Sequence, residues 1–99
     1  DAAAFSQAAY VLDQARQKVG DKDSCEKALK YNQLLWSIVQ ADVAEGNNQL
    51  PDELKANLMS LSLFVDKQTS KGLSDPTEEL LDSLININLN ISEGLMEGS

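Results

Sequence analysis

The residues that could do chemistry in this chain are few and poorly assembled for it. There is no histidine, which removes the commonest general base and the commonest metal ligand. Cys25 is the only cysteine, and its cationic neighbours Lys27 and Lys30 are a weak substitute for an activating imidazole. Asp21, Asp23 and Glu26 open like a calcium loop, but the glycine at the sixth loop position and the closing Glu are absent. Helix capping explains these acids better, and it explains Asp75, Glu78 and Glu79 too. There is no Gly-rich phosphate loop, since Gly94 and Gly98 fall at a helix end and in a tail. The reading is a chain with no enzyme activity, no cofactor and no metal.

Charge narrows the partners. Eight basic residues stand against sixteen acidic ones, a formal net charge of −8. Such a chain repels nucleic-acid phosphate and anionic lipid, and its basic residues do not interleave with aromatics. Direct nucleic-acid binding and membrane insertion are therefore not expected. No apolar run approaches the roughly 20 residues of a membrane span. A single cysteine allows no internal disulfide, and a cytoplasmic location is expected. The chain opens on Asp1 rather than Met, so a preceding piece is expected, and Gly98-Ser99 reads as an added end.

What positions these residues is a set of helices. Ninety-nine residues suit a single helical domain, 1–99, with one core. Apolar weight rests on Leu, Ile, Val and Ala, which favours helix-on-helix packing. The fold class is all-α: a small bundle of about four helices, near 2–19, 24–45, 51–71 and 76–96. In the first, Phe5, Ala8, Leu12, Ala15 and Val19 form a stripe that Gly20 ends. These first twenty residues dock loosely or swap into another chain. In the second, Asp23 and Glu26 have capping-box spacing, and Ala28, Tyr31, Leu35, Ile38 and Asp42 form one row that Leu34 and Ala41 widen. Gly46-Asn47-Asn48 breaks it. In the third, Pro51 suits the first helical position, Leu54, Leu58, Leu61, Val65 and Gln68 share a face, and Gly72 is the stop. In the fourth, Asp75-Pro76-Thr77-Glu78 reads as cap, proline and first-turn acid, and Leu80, Leu84, Ile87, Ile91 and Leu95 form the stripe. One stretch argues for a strand: from Ile85 to Ile91 apolar residues alternate with Asn. With no second strand to pair with it, the helix is preferred, and it spreads apolar groups around most of its circumference.

Apolar surface is what remains for function. Trp36 has two readings, a core anchor or a hot spot in a partner groove, and Phe64 divides the same way. Met59 and Met96 are adaptable fillers. If Asn88 is buried, its amide needs a partner.

Three elements carry a family resemblance. Asn32, Leu35 and Trp36 make N-x-x-L-W. Asn48, Leu50, Pro51, Leu54 and Ala56 make N-x-L-P-x-x-L-x-A. Leu84, Ile85, Ile87, Asn88, Ile91, Gly94 and Leu95 make L-I-x-I-N-x-x-I-x-x-G-L. In this order they resemble the flagellar biosynthesis protein FlaF family of α-proteobacteria, over Leu29 to Leu95. The resemblance implies a cytoplasmic partner of flagellin that aids its synthesis and export, in functional opposition to FlbT, a post-transcriptional regulator. Flagellin awaiting export has disordered terminal segments that become amphipathic helices in the filament. A bundle could hold one such helix in a groove. The expected groove residues are Leu35, Trp36, Val39, Leu61, Phe64, Ile87 and Ile91, with Asn32, Asn48, Leu50, Pro51, Asp75, Pro76, Asn88 and Gly94 as the structural motif. Two alternatives stand beside the chaperone: a regulator acting through FlbT alone, and a bundle that self-associates through the Ala-rich first segment.

Overall fold

Helix boundaries follow side-chain caps more closely than glycines. The structure, a computed structural model, describes residues 2–45 and 50–97, with side chains to residue 94. It contains α1 (Ala2–Arg16), α2 (Lys22–Ala44), α3 (Asp52–Ser74) and α4 (Glu78–Glu97), with no strand among the described residues. The Gly46-Asn47-Asn48 break, and with it Asn48, lies outside those residues, as do the side chains of Leu95 and Met96.

Three expected boundaries move for local reasons. α1 ends at Arg16 rather than Val19, because Lys18 N–H turns back to Ala15 O (2.9 Å) and Asp21 N–H to Lys18 O (2.8 Å). The α2 cap is Asp21, not Asp23. The Asp21 carboxylate accepts from the Asp23 and Ser24 backbone N–H groups (3.1 and 3.3 Å) and from Ser24 Oγ (2.9 Å). Its hydrogen bonds from the Ser24 side chain and then the backbone hold this carboxyl below its ordinary pKa. Glu26 is left to pair with Lys30 at 2.8 Å. At α4 the cap is Thr77, whose Oγ1 accepts from Leu80 N–H at 3.1 Å. Asp75 instead ends α3, donating its N–H to Lys71 O, and Pro76 bridges the two helices.

Gly72 does not stop α3; the helix runs through it to Ser74. Its role is close approach. A Cβ there would sit 2.9 Å from both Leu29 Cδ1 and Leu80 Cδ2, so the missing side chain lets α3 settle on buried leucines of α2 and α4.

The helices form a ring in which α1 packs on α4 and α2, α2 on α3, and α3 more sparsely on α4. α1 and α4 make the most extensive pair, joined at one end by Ser92 Oγ, which bonds Ser6 Oγ (2.7 Å) and donates to Ala2 O (3.0 Å). The helical reading of Ile85–Ile91 holds: Leu81, Leu84, Ile85, Asn88 and Ser92 are buried at spacings of three, one, three and four, while Asn86, Leu89 and Asn90 are exposed. On α2 the buried residues are Cys25, Ala28, Leu29, Asn32 and Trp36, so of the expected row Ala28 holds, while the rest shifts by one residue and Tyr31 and Ile38 face outward. On α3 it is Ser62, Val65, Thr69 and Gly72. The two hydroxyls there satisfy themselves on their own helix, Ser62 on Met59 O and Thr69 on Val65 O.

Candidate partner-binding groove

At the middle of the bundle three polar groups are sealed from water. Trp36 of α2 donates its indole N–H to Asn88 Oδ1 of α4 at 2.9 Å, and Asn88 Nδ2 donates to Asn32 Oδ1 at 2.8 Å. All three side chains are fully buried, so each of these bonds is made in a low-dielectric interior where losing a partner is costly. Asn32 Nδ2 has no acceptor among the described residues. The Phe5 ring meets the Trp36 indole edge-on, with centroids 5.7 Å apart and planes at 71°.

Beyond Phe5 the helices part. A groove of about 350 Å³ opens at the end of the bundle where α1 and α3 begin and α2 and α4 finish. Phe5 lines it from α1, Val39 and Val43 from α2, Leu54 and Leu58 from α3 and Ile91 from α4, with Leu50 from the approach to α3. Asp42, Asn90 and Gly94 supply the remaining wall. Leu54 is 39% exposed although it is a leucine on a helix with a core to join. Glu45, Asp52, Glu53 and Glu93 stand exposed on the stretches that bear these lining residues.

Val39 and Ile91, expected in a groove, line this one, and so do Leu50 and Gly94, expected only as structural motif. Leu35, Leu61 and Ile87 are half-buried against the core, and Phe64 is 44% exposed on α3. Trp36 is the departure. It is enclosed by its own chain at 0% exposure, so in this conformation the indole is an anchor of the interior and not a surface for a partner. Phe5, Asp42, Val43, Leu54, Leu58 and Asn90 are the lining residues that neither expected set contained. Periodicity carries no signal for them, because it assigns faces and not the place along the bundle where a groove opens.

No other described cluster competes as a chemical site. No group of three or more His, Cys, Asp or Glu among the described residues could hold a metal ion. Cys25 is buried, with Sγ 3.8 Å from both Ala15 O and Val19 O, and burial followed by the nearby Asp21 charge pushes its thiol pKa up, away from the reactive thiolate. No helix of the described residues is long and apolar enough to cross a membrane.

The family model for the flagellar protein FlaF matches residues 1–95, nearly the whole chain. This chain belongs to the FlaF family. Comparison with curated proteins and with solved structures gives no match. In this FlaF-family chain the N-x-x-L-W element and the asparagine of the last element converge, because Asn32, Trp36 and Asn88 are the three members of the buried network. Four further motif residues, Leu50, Leu54, Ile91 and Gly94, line the groove, while Leu84 and Ile85 are core and Leu35 and Ile87 pack against it.

Proposed function

We propose that this flagellar protein is a cytoplasmic flagellin-binding chaperone and regulator, which promotes flagellin synthesis and export by holding a terminal amphipathic helix of flagellin. The supporting observation is the apolar groove at the bundle end. Its wall is formed mainly by Phe5, Val39, Val43, Leu54, Leu58 and Ile91, drawn from all four helices. It is long on hydrophobic wall and carries polar groups at its margin, which suits the apolar stripe of a helix. The contact residues in this reading are Val39, Leu50, Leu54, Leu58 and Ile91, with Leu61, Phe64 and Ile87 continuing along α3 and α4. A flagellin terminus would order as it binds, and that ordering cost is subtracted from the affinity.

The test is calorimetric titration of the chain with full-length flagellin and with flagellin lacking its C-terminal segment. Binding that the truncation abolishes, and that Leu54→Ser weakens while the outward Leu34→Ser leaves it unchanged, supports the reading. Absence of flagellin binding ends it. Binding of FlbT in place of flagellin would move the function to regulation alone.

A further inference from the structure

The charged residues are not spread evenly along the bundle. Over the described parts of the groove end, residues 39–58 and 88–94, the acids are Asp42, Glu45, Asp52, Glu53 and Glu93, and Lys55 is the lone base. The other seven of the chain's eight basic residues, Arg16 to Lys30 with Lys67 and Lys71, sit toward the opposite end. At that end they are interleaved with acids, and two of them form ion pairs: Arg16 bonds Asp13 at 2.7 Å and approaches Asp82 at 3.3 Å, and Lys30 meets Glu26 at 2.8 Å.

The acids border the groove by position. Asp42 lines it, and Glu45 lies one turn further along the same face of α2. Asp52 and Glu53 fall between the lining residues Leu50 and Leu54, and Glu93 adjoins Gly94. The stretches of α2, α3 and α4 that line the apolar trough thus carry five acids against one base, Lys55, and one of those acids, Asp42, lines it directly.

We propose that the groove selects amphipathic helices whose apolar stripe is flanked by lysine or arginine. The inference rests on the groove being the docking site and adds the chemistry by which an occupant is told apart. Opposite charges at a rim raise the encounter rate and set register, while a like-charged flank is repelled. The same argument disfavours a second copy of this chain as occupant, since each copy carries a net charge of −8.

Three synthetic peptides test this, sharing one leucine stripe and flanked by Lys, Gln or Glu, each titrated into the intact chain by calorimetry. The Lys-flanked peptide is expected to bind about tenfold more tightly than the Glu-flanked one at low ionic strength, with Gln between, from a few rim pairs of modest strength. The gap closes in concentrated salt, where screening acts over about 3 Å. In the combined variant Glu45→Gln, Asp52→Asn, Glu53→Gln and Glu93→Gln it narrows to what Asp42 alone supports, while the Gln-flanked affinity stays. Equal affinities for all three peptides would overturn charge selection and leave the docking site standing. Failure of even the Gln-flanked peptide to bind would remove the docking site and this inference together. A dimer in sedimentation that the Lys-flanked peptide cannot dissociate would put a second copy in the groove and overturn the proposal.

Discussion

The two ends of this bundle pack differently, one around small buried residues and one around an open apolar groove. At the end holding the α1–α2 and α3–α4 connections, the buried small residues Ala15, Cys25, Ala28 and Gly72 pack among the buried Leu29, Leu80 and Leu81, and Gly72 lets α3 approach Leu29 and Leu80. At the opposite end the walls are Leu, Val and Ile around an unfilled space. The Asn32–Asn88–Trp36 network lies between them. A small domain has stability of only about 5–15 kcal/mol, so a chain with an unfilled apolar space at one end depends on the buried packing elsewhere.

Breaking the sealed part should give the largest effects. Trp36→Ala removes the largest enclosed side chain, its edge contact with Phe5 and the donor to Asn88. A loss of about 3–5 kcal/mol is expected in urea unfolding, and a loss below about 1 kcal/mol would show that the interior does not depend on the indole. Asn88→Leu keeps bulk but strands the Trp36 N–H and the Asn32 carbonyl, at about 2–3 kcal/mol. Pairing it with Asn32→Leu in a double-mutant cycle should recover part of that loss, since the second change removes one stranded acceptor. Gly72→Ala sets the strain of two leucine contacts at 2.9 Å against a better helix former, and a net loss of about 1 kcal/mol is expected in thermal unfolding.

The open end should behave in the opposite way. Leu54→Ser, on a residue 39% exposed, is expected to change stability by less than about 0.5 kcal/mol. The same variant should weaken flagellin binding about tenfold, the loss of one apolar anchor. A stability loss as large as that of Gly72→Ala would mean that the groove walls are core.

The smallest effect belongs to the Asp21 cap. Its folded pKa lies below the ordinary 3.8, so its contribution is present above that value and is lost as pH falls through the depressed folded pKa. Asp21→Asn keeps the cap but does not titrate, and should flatten that part of an acid-unfolding curve.

Much of this was legible in the chain, and the misses have physical causes. Four helices follow from apolar spacing and the breaks between stripes, whereas the helical nature of Ile85–Ile91 follows against its local alternation, from the lack of a second strand to pair with it. The α2 row was misplaced because its central inward residue is Asn32, and a hydrophobic pattern passes over a polar group whose partner lies 56 residues away. Gly72 after Lys71 fits a stop signal, yet its use depends on Leu29 and Leu80, which no local window contains. Asp75 is followed by proline and acids like a cap, but Thr77 stands nearer the helix start and takes the bond. Ile91 was legible from the stripe of the fourth helix, and Val39 lies one residue beyond the expected α2 row, where the observed inward row runs. Phe5, Leu54 and Leu58 needed the coordinates, since periodicity assigns faces and says nothing of where along a bundle two helices part.

Phe5 belongs to both regions: one ring lines the groove and also touches the indole of the chain's single tryptophan. A segment entering the groove would press on that ring and alter the surroundings of a fluorophore it never reaches. The intrinsic emission of Trp36 is therefore an optical readout of occupancy that needs no added dye, and Phe5→Leu is the substitution that should silence it.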